Sequence, residues 1–101
     1  MIYHTTFHLD DAIWDEGLHH LKQHYIPGAT QSGLLRRPAM QRVLQEEEAG
    51  VSICIQFHVS DRDVLHRWMQ CEGAELQREL TVKFGAKIAG FSTLPEEMEL
   101  E

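Results

Sequence analysis

From Val51 to Val59 apolar and polar residues alternate almost without error: Val51, Ile53, Ile55, Phe57 and Val59 fall on one side, Ser52, Cys54, Gln56 and His58 on the other. A period of two predicts a β-strand whose apolar face lies against a core, while its mixed face needs water, a second subunit or a ligand. Ile2 to Leu9 alternates likewise, with Tyr3, Thr5, Phe7 and Leu9 opposed to Ile2, His4, Thr6 and His8. A change to helical spacing follows. Ile13, Trp14, Gly17, Leu18, Leu21 and Tyr25 share one apolar stripe, and Asp10 or Asp11 can cap the free amides of a helix beginning near Ala12. Pro27-Gly28 predicts that this helix stops near Tyr25 or Ile26.

A loop through Ser32-Gly33 leads to a second strand, roughly 39–46, whose inward face is either Val43 or Met40 with Leu44. Residues 47–50 reverse the chain into the strand at 51–59, making a hairpin. Ser60 and Asp63 form a capping box for a second helical region. Its apolar stripe shifts partway, from Val64, Leu65, Trp68 and Met69 to Leu76, Leu80 and Phe84, which predicts a break near Gly73. Gly85 ends the helix, and residues 87–94 supply a last strand. The order βαββαβ is the ferredoxin-like pattern, an α+β fold with antiparallel sheet order 4-1-3-2 and both helices on one face. Residues 1–94 form a single domain, followed by an acidic tail at 95–101, of which Leu100-Glu101 is read as a cloning scar and set aside.

Composition narrows the partners. With 43% apolar and 25% charged residues the chain has the make-up of an ordinary soluble domain, without the long apolar run of a transmembrane segment or a signal peptide. The formal charge is −7, and the nine Lys and Arg are scattered apart from Arg36-Arg37, so neither nucleic acid nor an anionic membrane is an expected partner. Cys54 and Cys71 form no metal-binding spacing and read as free thiols of a cytoplasmic protein.

Four segments carry a family likeness: Met1-Ile2-Tyr3, Ile26-Pro27 with Ser32-Gly33-Leu34, Ser52 to Gln56, and Phe84-Gly85-Ala86-Lys87-Ile88 with Phe91-Ser92-Thr93-Leu94. Through them the chain resembles a small bacterial family known as domain of unknown function 4286. Tyr25 stands where a histidine commonly precedes Ile-Pro in that pattern, and Cys71-Glu72-Gly73-Ala74 replaces a His-Ala-Pro-like break. The resemblance implies a fold similar to dimeric α/β-barrel proteins, in which two open sheet faces pack together. It implies no activity and no catalytic residue.

The candidate ligand or dimer face is therefore the outer side of the two alternating strands: His4, Thr6, His8, Cys54, Gln56 and His58. If the strands pair with residue numbers summing to 62, His4 faces His58, Thr6 faces Gln56 and His8 faces Cys54, close enough to line one site. Imidazole and thiolate would suit zinc. The plainer reading is a damp dimer interface, so no metal and no cofactor is expected. Glu16, His20 and His24 follow at four-residue spacing on the first helix and are read as a solvated face. Cys54 is read as a small buried hydrophobe, Cys71 as the more reactive thiol, and Trp14 and Trp68 as core or interface residues. No P-loop, GxGxxG, GxSxG or CxxC is present. The expected function is a non-catalytic homodimeric binding or regulatory domain for a small ligand or protein partner. The alternative is a cofactor-free enzyme or oxygenase with His4, His8 or His58 as acid–base group.

Overall fold

The computed structural model describes residues 1–43 and 49–93. Strand β1 (Ile2–Leu9) buries Tyr3, Thr5, Phe7 and Leu9 and leaves Ile2, His4, Thr6 and His8 half-buried, as the alternation requires. Asp10 then caps the turn Asp11–Ile13, its carboxylate accepting from the Ala12 amide at 2.9 Å. The chain enters α1 (Trp14–His20), whose stripe buries Gly17 and is continued by Leu21 and Tyr25.

Proline does not end this helix. The chain passes through a π-helical turn (Leu21–Tyr25) into α2 (Ile26–Thr30), with helical dihedrals throughout. The Ile26 amide reaches back five residues to the Leu21 carbonyl, so Pro27 falls in the first turn of α2, where a missing amide hydrogen costs little. The expected stop near Tyr25 or Ile26 is thus four or five residues too early.

Strand β2 (Leu35–Val43) begins four residues before the expected start. A register shift between Arg36 and Ala39, with Arg37 at φ 51°, lets the ladder pass over Pro38. Such a bulge is tolerated because β2 is an edge strand, where one lost amide bond leaves no gap between two strands. Met40 pairs with Ile55 on the core side and Val43 with Ser52 on the outer side, which settles the inward face for Met40; Leu44 lies outside the described residues, as do 45–48 of the reversal. Strand β3 (Val51–Val59) buries Ile53, Ile55, Phe57 and Val59 to 2% exposure or less.

The second helical region starts one residue later than the predicted box, because Asp61, not Ser60, accepts from the Val64 amide at 2.9 Å. α3 (Arg62–Trp68) runs through a π-helical turn (Met69–Gly73) into α4 (Ala74–Phe84). The break expected near Gly73 is this widened turn, which rotates the apolar stripe while the backbone stays helical, with Gly73 at φ −62° and ψ −42°. A side chain on Gly73 would lie 2.7 Å from the Trp68 ring, hence glycine. Gly85, at φ 59° and ψ −134°, ends α4 in a conformation other residues rarely adopt, and β4 (Ile88–Thr93) completes the sheet, leaving the tail at 95–101 outside the described residues.

The sheet order is β2-β3-β1-β4, antiparallel throughout, which is the ferredoxin-like order expected. The helices cover one face, sealing a core of Phe7, Leu9, Leu21, Leu35, Phe57 and Trp68 with their neighbours. The extents, 41 × 35 × 19 Å, fit one helical layer of about 10 Å on one sheet. Among the described residues nothing covers the second sheet face. Among the described residues no helix is long and apolar enough to cross a membrane.

Candidate functional site

The outer sheet face is built by the polar members of β1 and β3. Ile2, His4, Thr6, His8, Ser52, Cys54, Gln56 and His58 are all half-buried, and none carries a permanent charge. Arg36, Ala39, Gln41 and Val43 of β2 border them on one side, and Ala89 of β4 on the other. A quarter of the chain is charged, so eight adjacent positions without Lys, Arg, Asp or Glu are unlike an ordinary solvated sheet face.

The register differs from the expected one by two residues. Partners sum to 60: Ile2 faces His58, His4 faces Gln56, Thr6 faces Cys54 and His8 faces Ser52. On the covered side the same register sets Tyr3 against Phe57, with their rings stacked at 6.3 Å. It also lets the N-terminal ammonium of Met1 donate to the Val59 carbonyl while the Val59 amide donates to the Met1 carbonyl, both at 2.9 Å. A slip of two keeps every side chain on its own face, so alternation alone cannot choose between the two registers.

This slip redistributes the candidates. His8 Nδ1 hydrogen-bonds Ser52 Oγ at 3.0 Å, directly across the strands. His4 Nδ1 meets Cys54 Sγ diagonally at 3.7 Å, and His58 stands away from both, opposite Ile2 and Arg36. The single site that a register summing to 62 would allow is therefore replaced by two separate pairs, His8 with Ser52 and His4 with Cys54, with His58 apart, and among the described residues no three His, Cys, Asp or Glu side chains converge as a metal site would need. Cys54 is half-buried on this face rather than in the core, and Cys71 is exposed.

His20 departs further from its reading as part of a solvated face. It is 6% exposed, with its ring edge-on to Phe84 at 5.6 Å and 5.2 Å from the ring of His24, and its Nδ1 has no partner among the described residues. Burial first, then the charges of Lys83 and His24, hold its pKa below the ordinary 6.5. Glu16 and His24 remain exposed. Trp68 is core, its indole donating to the Ala29 carbonyl at 3.0 Å, whereas Trp14 is half-buried beneath the Arg42 guanidinium at 5.4 Å.

One feature escaped the sequence reading. Between helices and sheet lies a cavity of about 240 Å³ whose buried lining includes Tyr3, Thr5, Tyr25 and Trp68. Its only trace in the sequence is hydroxyl groups on faces the periodicity assigns to the core: Tyr3 and Thr5 on β1, Tyr25 on the first helix. Burial pushes the Tyr25 phenol well up from its ordinary value, partly opposed by a hydrogen bond with Thr5.

The family model described as Domain of unknown function (DUF4286) matches residues 1–98. No curated protein matches the sequence. Among solved structures, an ethyl tert-butyl ether d (EthD) family protein from Bacillus halodurans is similar with a TM-score of 0.66 at 16% identity, over 97% of this chain and 100% of that one. A dimeric ferredoxin-like protein from an uncultured marine organism gives a TM-score of 0.65 at 11% identity, over 96% of each chain. A protein from Deinococcus radiodurans, provisionally named an antibiotic biosynthesis monooxygenase, gives 0.63 at 14% identity, over 98% of this chain and 96% of that one. At these identities the likeness is one of fold.

Proposed function

We propose, from the premise that this chain belongs to the DUF4286 family, that it is a non-catalytic, homodimeric binding or regulatory domain of the cytoplasm whose outer sheet faces pack against each other. The observation that carries this reading is the uncharged, half-buried outer face of β1 and β3. A sheet covered on one side only must either solvate its other side or pair it, and a second copy pairs it with the same hydrogen-bonding groups. That two similar structures are described as dimeric ferredoxin-like proteins supports the same assembly. His4, Thr6, His8, Cys54, Gln56 and His58 then line the interface or a small ligand held within it. Light scattering during gel filtration at micromolar concentration is expected to give twice the chain mass of 11.7 kDa. A single-chain mass would overturn the proposal.

The second reading, a cofactor-free enzyme using His4, His8 or His58, draws on the name of the Deinococcus radiodurans protein. It stands behind the first because the histidines are not gathered around one enclosed point: His8 is engaged by Ser52 and His4 by Cys54.

A further inference from the structure

We infer that the cavity between the helices and the sheet is a binding site for a small, flat, uncharged molecule bearing a hydrogen-bond acceptor. The site lies on the opposite side of the sheet from the proposed dimer face and stands independently of it.

Both helical regions carry a π-helical turn, Leu21–Tyr25 and Met69–Gly73, five residues each. Such turns account for well under 1% of residues in folded proteins and recur at functional sites, so ten residues in one short domain call for a cause. Both turns border the same cavity. Tyr25 closes the first, Met69 opens the second, and Gly73 ends it against the flat of Trp68. The widened turns shift the phase of the apolar stripes at the points where the helices border the cavity.

The lining states what would fit. None of the described residues that border it is charged, although the chain carries a net −7. A charged ligand would lose its hydration with no opposite charge to replace it. The indole N–H of Trp68 is already committed to the Ala29 carbonyl, so this residue adds apolar ring atoms to the lining rather than a donor. The donor is Tyr25. Burial keeps its phenol protonated, and its hydroxyl, hydrogen-bonded with that of Thr5, is the polar group a ligand acceptor would meet. A volume near 240 Å³ falls short of the roughly 300–1,000 Å³ of drug-sized sites and suits a single ring with a short substituent. Entry is from the side of Met69, Ala74 and Gln77, all solvent-exposed.

The test uses the full chain with acetophenone as probe and benzoate as its charged counterpart of similar shape, read by the indole N–H resonance of Trp68 in 15N-correlated NMR, with Trp14→Phe to assign it. Acetophenone is expected to shift that resonance saturably at millimolar concentration, with benzoate at least tenfold weaker. Tyr25→Phe should weaken acetophenone about fivefold, the worth of one neutral hydrogen bond. Ala74→Phe, a change at an exposed residue of the mouth, should abolish the response while the circular dichroism stays that of the parent. If Tyr25→Phe fails to fold, Ala74→Phe decides. No saturable shift up to the solubility of acetophenone, equal binding of benzoate, or an undiminished response in folded Ala74→Phe overturns the inference.

Discussion

The two faces of β3 share one backbone and opposite fates. Ile53, Ile55, Phe57 and Val59 are sealed under the helices, while Ser52, Cys54, Gln56 and His58, interleaved with them, stay half-buried, with Ser52 bonded to His8 and Cys54 to His4 across the strands. Stability is concentrated on the first face, where each large side chain removes apolar surface from water. The second contributes little to the single chain, and its value lies in what it meets. Fold and function are thus separated by the thickness of one sheet, and substitutions should separate them too.

The largest effect is expected at Phe57→Ala, which opens a cavity in the sealed face and should cost about 3–5 kcal/mol in urea unfolding. Gln56→Ala, one residue along on the outer face, should cost less than about 1 kcal/mol in the dissociated chain; equal losses would erase the contrast. Next, Trp68→Phe keeps a ring in the covered layer but leaves the Ala29 carbonyl without its donor, for about 1–3 kcal/mol. On the outer side, Gln56→Lys places like charges across the proposed interface and should weaken self-association at least tenfold, about 1.4 kcal/mol, with the circular dichroism unchanged. A dimer that survives this substitution would move the interface elsewhere. Asp61→Ala should then cost about 1 kcal/mol through loss of its cap, with Ser60→Ala near neutral, since it is Asp61 that accepts from Val64.

The smallest effect concerns pH and belongs to the covered side. The pKa of His20 is depressed below 6.5 in the folded chain, so as pH falls through 6.5 the unfolded chain takes up a proton that the folded chain resists. Stability is present above that pH and declines from there toward the folded pKa. His20→Leu should make the loss between pH 7.5 and 5.5 shallower, measured by urea midpoints at both values. An unchanged slope would place the titration on another group.

Much of this architecture was legible along the chain. Alternation at 2–9 and 51–59 assigned each side chain to its face, and the shifted stripe between Trp68 and Leu76 announced the change of helical phase. The six candidate residues of the outer face do lie on it, though the pairing among them was displaced. Three further features were misjudged for reasons that sequence spacing does not carry. Pro27 continues a helix because a π-helical turn presents it at a helix start. Strand β2 begins at Leu35 because a bulge passes over Pro38. His20 is buried because the side of α1 on which it lies faces Phe84 of α4, which no periodicity within α1 could reveal. Neither could periodicity reveal the cavity, whose lining joins β1 to residues of both π-helical turns.

What the sequence determined by itself is therefore parity: which side of each strand and which stripe of each helix is apolar, and hence a βαββαβ domain with one covered and one open sheet face. That information is local, carried by periods of 2 and 3.6 residues. Only the tertiary structure decided the register, for a slip of two residues returns every side chain to the same face. The choice fell to long-range contacts, Tyr3 on Phe57 and Met1 on Val59, that no local period encodes.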